Sequence, residues 1–125
     1  MNYESIRSVM NQSGFMKSRE TKKLEEFQFA GNHVVYLYKD QALDGAVQIV
    51  VHPSLAEAAF AGLAGIAANQ RFPYRSGSNM TQFPKRQSSS AVKPIPYGRS
   101  MQADSLDALG RLLRAVSGAP AVTAV

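Results

Sequence analysis

His33–Tyr38 reads HVVYLY. After its first residue every side chain is β-branched, aromatic or leucine, a composition that fits a pleated, half-buried surface. The neighbouring sequence extends this strand in both directions. Upstream, Phe27 and Phe29 alternate with Glu26 and Gln28 from a strand start near Leu24, and Gly31-Asn32 between the two runs tolerates the positive φ of a tight hairpin turn. Downstream, Asp44-Gly45 closes a short polar loop, and residues 46–51 (AVQIVV) form a third strand that Pro53 ends. Residues 24–51 therefore read as an antiparallel meander centred on HVVYLY. Both of its faces carry large rings, because Phe27, Phe29, Tyr36 and Tyr38 occupy alternating positions. One face belongs to the core; the other is covered by a helix or left open to a partner.

Three helices are expected around this meander. Tyr3, Ile6, Val9 and Met10 share one side of a helical wheel, and Gly14 follows as a stop. Ser54 and Glu57 have the spacing of a capping box. A second helix is expected from there, with Leu55, Ala59, Leu63 and Ile66 towards the sheet, although Gly62 and Gly65 cost it about 1 kcal/mol each relative to Ala. The last helix is the clearest. Asp104 or Ser105 caps it, Leu106, Leu109, Leu112, Leu113 and Val116 form its stripe, Arg111 and Arg114 sit near its negative end, and Gly118 and Pro120 stop it. Residues 119–125 lack charge and pattern and are expected to fray as a disordered tail.

Residues 69–101 contain Pro73, Pro84, Pro94, Pro96, Gly77 and a Ser88-Ser89-Ser90 run, so long loops are expected there. Within them residues 92–97 (VKPIPY) suit at most an edge strand, because Pro94 and Pro96 remove ladder donors. The expected fold class is α+β. A three-stranded antiparallel meander, with that fourth edge strand as an option, packs against three helices in one domain spanning residues 1–118.

The chain has 125 residues, 45% apolar and 18% charged, enough for one domain that buries roughly two thirds of its unfolded surface. With no cysteine, disulfides, thiolate zinc sites and cysteine nucleophiles are excluded. The first residues lack the basic start and apolar run of a secretory signal, and residues 55–68 fall short of the ~20 needed to span a bilayer. A cytoplasmic protein with no membrane partner is the expectation.

The tyrosine-bearing strand, the run Val51-His52-Pro53-Ser54-Leu55, the pairs Phe83-Pro84 and Tyr97-Gly98, and the closing leucine-rich helix follow in an order that resembles the YgaC-like family of small bacterial cytoplasmic proteins. The resemblance covers residues 27–116. It departs after Gly98, where Arg99-Ser100-Met101-Gln102-Ala103 replaces the glycine and aromatic residue usual in that family. It implies a compact α+β fold and a bacterial cytoplasmic setting, and no activity.

Charge carries the functional signal. Residues 58–103 contain no Asp or Glu but do contain Arg71, Arg75, Lys85, Arg86, Lys93 and Arg99, so a net charge of +6 lies there within a total of +5. A local positive field attracts polyanions. Arg71-Phe72-Pro73-Tyr74-Arg75 and Phe83-Pro84-Lys85-Arg86 interleave rings with cations, which suits phosphate contacts and stacking on unpaired bases. Those six cations are the candidate nucleic-acid-binding residues of a small binding module, with an acidic protein surface as the other class of anionic partner. The bland counterpart places the rings in the core and the cations in solvent. A different class of function is an adaptor domain, homodimeric or not, that uses exposed sheet tyrosines or the last helix and has no role with nucleic acid.

An enzyme is not expected, and no catalytic residue, cofactor or metal is assigned. The sequence has no nucleophile elbow, phosphate-loop lysine motif or dinucleotide fingerprint. Glu25 and Glu26 are neighbours on a strand and point to opposite faces, while Asp40 and Asp44 sit in a polar loop. His33 and His52 are too few for a metal site on their own, and His52 is expected to hydrogen-bond backbone at its strand end.

Overall fold

The computed structural model describes residues 2–30, 33–39, 46–69, 73–87 and 93–119. The turn at Gly31-Asn32, the loop holding Asp40 and Asp44, and residues 120–125 lie outside the described residues. The chain enters through helix α1 (Tyr3–Gln12), where the Asn2 side chain accepts the Ser5 N–H at 2.8 Å. That bond satisfies one of the amino-terminal donors no helical carbonyl reaches. Strands β1 (Met16–Glu20), β2 (Leu24–Phe29), β3 (His33–Tyr38) and β4 (Val47–Val51) follow as successive antiparallel neighbours. A single 3-10 turn, Glu57–Phe60, precedes three short strands, β5 (Ile66–Ala68), β6 (Tyr74–Ser76) and β7 (Lys85–Arg86). A nine-residue strand, β8 (Ile95–Ala103), and helix α2 (Leu106–Ser117) complete the fold.

Strand β8 organises the second half of the molecule. On one side it pairs with β4, from Val47↔Ala103 to Val51↔Arg99, and further along with β7. On the other it pairs with β5 at its carboxyl-terminal half and with β6 at its amino-terminal half. The result is an eight-stranded antiparallel sheet, ordered β1-β2-β3-β4-β8-β5, that curls into a half-barrel.

This architecture corrects the expected meander on three helices, since the described residues contain two α-helices. Residues 54–68 form no α-helix, because Gly62 and Gly65 stand at φ +78° and +80°, left-handed values that a right-handed helix cannot pass through. The capping box does not form. Ala56 precedes the 3-10 turn with no side-chain cap, and Ile66 pairs with Ala103 in the sheet. Gly65 also has no room for a side chain, since a Cβ there would lie 2.8 Å from the Ala108 methyl and against Asp104.

The expected edge strand at residues 92–97 is instead the beginning of β8, which has neighbours on both sides. Pro96 is tolerated because it is the second residue of β8, where β6 has already reached its last pair, Ser76↔Tyr97; the Pro96 carbonyl accepts from Gly77 N–H at 2.9 Å. Strand β1 had no sequence signature, since all five of its residues are exposed. The expectations of a first helix, a strand at HVVYLY and a last helix match the structure. Ser105 is the cap of α2, accepting Ala108 N–H at 3.0 Å.

Both faces of the central strands are buried. Phe27, Val35, Leu37, Ile49, Val51 and Met101 lie on one face beneath apolar residues of α1 and α2, among them Ile6, Met10, Leu109 and Leu112. Tyr36, Tyr38, Leu24 and Val50 lie on the other, covered by Met80 and Phe83 from the non-helical segment 77–84. Fully burying a side chain of this size stabilises by about 1.5–3 kcal/mol, so the second cover contributes without regular structure. Gly98 permits it, because a Cβ there would come 2.7 Å from the Val51 carbonyl oxygen and 2.8 Å from the Phe83 ring. Among the described residues no helix is long and apolar enough to cross a membrane.

Candidate functional site

Strands β6, β7 and the first half of β8 meet at one end of the sheet, and most of the acid-free segment's cations lie on them. Residues directly opposed in antiparallel strands share a face. The pairs Tyr74↔Arg99, Ser76↔Tyr97 and Arg86↔Ile95 therefore put Tyr74, Arg86, Tyr97 and Arg99 on the face that further along carries Met101 and Ala103. There the core is sealed by helices; here no helix reaches. The pairs Arg75↔Gly98 and Lys85↔Pro96 put Arg75 and Lys85 on the opposite face. Lys93 is exposed just before β8. Arg71 lies outside the described residues. The structure thus brings two of the six candidate cations together and divides two others from them by the thickness of the sheet.

The two arginines are joined by two tyrosines. Tyr74 and Tyr97 have ring centroids 5.9 Å apart at an interplanar angle of 55°. The Arg86 guanidinium carbon lies 4.4 Å from the Tyr97 centroid and 5.1 Å from that of Tyr74. The Arg99 guanidinium carbon lies 5.0 Å from the Tyr74 centroid, its Nη2 donates to the Tyr74 hydroxyl at 3.1 Å, and its Nε donates to the Leu55 carbonyl at 2.8 Å. Arg99 is therefore held at both ends, whereas Arg86 is exposed and touches only ring faces. On the opposite face the Arg75 guanidinium sits 3.5 Å from the centroid of buried Tyr38.

Among the described residues no carboxylate pairs with Arg86 or Arg99. Among the described residues, ion pairs join Arg7, Lys17 and Lys39 to Glu20 and Glu25, and none involves Lys85, Arg86, Lys93 or Arg99. A guanidinium over a tyrosine gains quadrupole attraction yet keeps its full charge and its N–H fork. The cluster can therefore offer charge-assisted donors to phosphate oxygens beside aromatic and guanidinium planes.

Tyr74 and Tyr97 were not among the sequence-derived site residues. Tyr74 stands inside the Arg71–Arg75 cluster and Tyr97 two positions before Arg99, so alternation hinted that Tyr97 and Arg99 share a face. The register of β6 on β8 that joins the tyrosines could not be read from a three-residue strand.

Other groups are structurally occupied. Glu25 and Glu26 do point to opposite faces, and each is buried and bonded. Glu25 receives Arg7 Nε at 2.8 and 3.1 Å together with Arg7 Nη2, with Lys39 at 3.6 Å. Burial pushes its carboxyl up, but the Arg7 hydrogen bonds outweigh this and hold it below the usual carboxylate range. Glu26 accepts from the Tyr36 hydroxyl at 2.7 Å and from Ser18 Oγ at 2.8 Å. Burial raises the Tyr36 hydroxyl far above an ordinary phenol. His52 Nδ1 accepts the Ser54 N–H at 3.1 Å, and burial lowers its pKa. Among the described residues no group of three or more His, Asp or Glu could hold a metal ion.

Two grooves are lined by described residues. One, of about 350 Å³, is lined by Phe60, Ile66, Met101 and small residues, with Glu57 its one ionisable group. The other, of about 370 Å³ between α1 and α2, is lined by Gln12, Ser13, Asp107, Arg111 and Arg114. Arg111 is already engaged with the Ala64 carbonyl, at 2.9 Å from Nη2.

The sequence matches no protein-family profile and no curated protein. Three of the sequence landmarks, Tyr36, His52 and Phe83, meet on one face of the sheet, while the closing helix covers the other. Phe83 stands edge-on to Tyr36 at 4.9 Å and to His52 at 5.4 Å, above the gap that Gly98 leaves. Their chemistry is packing.

Proposed function

We propose that the protein is a binding module that engages nucleic acid through the end of the sheet built by β6, β7 and the first half of β8. The observation that carries this reading is the set Tyr74, Arg86, Tyr97 and Arg99 on one face, with no carboxylate partner among the described residues. Arginine forks match phosphate oxygens bidentately; the Arg86 fork makes no hydrogen bond among the described residues, whereas Arg99 has Nε and Nη2 engaged with Leu55 and Tyr74. Lys85, Arg75 and Lys93 broaden the positive field around the site. The adaptor alternative relied on exposed sheet tyrosines or an exposed last helix. Tyr36 and Tyr38 are buried, as are Leu109, Leu112, Leu113 and Val116, so the meander tyrosines and the apolar stripe of α2 are not open to a partner.

Titration of a labelled oligonucleotide at several salt concentrations tests the proposal. With two to four cations on phosphates, log affinity falls against log salt with a slope of about −1.5 to −3.5. The double variant Arg86→Ala/Arg99→Ala weakens binding about tenfold or more, whereas the double variant Lys22→Ala/Lys23→Ala, far from the cluster in sequence and of equal charge change, barely alters it. Absence of binding at low salt, or equal losses in the two variants, refutes the assignment.

A further inference from the structure

We infer that this surface takes single-stranded nucleic acid, with Tyr74 and Tyr97 as the residues on which unpaired bases stack. The inference rests on the nucleic-acid reading above and adds what the site recognises.

The argument begins with exposure. Tyr74 is 36% exposed, and the other exposed large apolar side chain among the described residues is Met16, at the far edge of the sheet. A partly exposed ring beside two guanidinium groups can offer surface to a planar ligand. The ring is also held in place: Arg99 Nη2 bonds its hydroxyl, and Arg99 itself is tied to the Leu55 carbonyl. A ring already fixed loses little freedom when a base stacks on it.

The two arginine–tyrosine stacks of this end of the sheet differ in a way that points to the same ligand. Arg75 lies 3.5 Å from the centroid of Tyr38, which is 5% exposed, a closed stack with no ring face to spare. Arg86 lies 4.4 and 5.1 Å from its two rings, is exposed and is anchored by no hydrogen bond among the described residues. It can turn its fork to a phosphate and yield ring surface to a base, while guanidinium and tyrosine planes both accept bases face-on. Duplex recognition needs an element that enters a groove. At this end of the sheet β6 has three residues and β7 two, and the apolar face of α2 is buried. Bases inside a duplex do not present the flat faces that these rings match.

The chain has no tryptophan and five tyrosines, so tyrosine emission reports stacking directly. Three probes of equal length separate the terms: oligothymidylate, the same strand with abasic residues throughout, and a blunt duplex. The expected result is quenching of tyrosine emission by oligothymidylate and binding about tenfold tighter than to either other probe. Tyr74→Leu and Tyr97→Leu each lower affinity for oligothymidylate about tenfold and leave the abasic strand unaffected, whereas Tyr74→Phe keeps the affinity. If all three probes bind equally and respond only to Arg86→Ala/Arg99→Ala, the stacking inference is overturned and the phosphate reading survives. If none binds at low salt, both fall.

Discussion

Arg7 and the Arg86–Arg99 pair lie on the same face of one sheet and meet opposite fates. Arg7 reaches from α1 to Glu25, which is fully buried, and Lys39 bridges Glu25 to Glu20 at 3.6 and 3.0 Å. Hydrogen bonds from Lys17 and Lys39 hold the exposed Glu20 carboxyl at about 2. At the other end Arg86 and Arg99 meet tyrosine rings and a backbone carbonyl. The same side chain is thus paired with a carboxylate where helices close the core and, among the described residues, paired with none at the other end of the sheet. Compensated charge holds the fold together; uncompensated charge is available to a ligand.

The largest expected effect lies on the compensated side. Arg7→Ala strands a buried carboxylate. Because the Arg7 side chain is 38% exposed and Lys39 remains nearby, the loss is about 2–3 kcal/mol, below that of a fully buried pair. The pH dependence supplies a second check. With Arg7 present the Glu25 pKa lies below its ordinary value near 4.5, so its contribution is in place above that pH and is lost as pH falls through the lowered value. Without Arg7, burial dominates and raises the pKa, so the gap between variant and parent is widest at neutral pH and narrows on acidification. Urea melts from pH 7 down to pH 3 measure both; a gap independent of pH breaks the comparison at its first term.

Gly98→Ala tests whether the second cover packs as tightly as the helical one. A methyl group against the Val51 carbonyl and Phe83 is expected to cost about 1–3 kcal/mol, read as a lowered midpoint in chemical denaturation. Arg75→Ala removes the closed stack on Tyr38 and is expected to cost about 1 kcal/mol. The smallest effect sharpens the contrast most. Arg86→Ala changes stability by less than about 0.5 kcal/mol in the same melts while weakening nucleic-acid binding. An Arg86 variant as destabilised as the Arg7 one makes the cluster structural and removes the distinction.

Local signals determined a good part of this molecule. HVVYLY, a cap at Asp104 or Ser105 and the leucine stripe of α2 needed no information beyond neighbours within a few residues, because propensity, capping and amphipathic spacing act at that range. The acid-free segment was equally plain, since charge is a property of composition. Other features emerged only from pairing across the sheet. MKSRE becomes β1 because β2 offers it a free edge, not because of any apolar alternation. Gly62 and Gly65 adopt left-handed backbone that turns the chain back to β8, so an apparent helix becomes a turn and a strand. The prolines near β8 suggested an edge, yet Pro96 is tolerated at its start because β6 ends beside it. The site shows the same division. Six cations were legible, but which of them share a face depends on the register of β6 and β7 on β8, and a one-residue shift would move every side chain across the sheet. The sequence alone settled which residues carry charge and where the apolar residues of HVVYLY and α2 fall. Tertiary pairing decided which of them meet, because register and cover are set by partners far away in the chain.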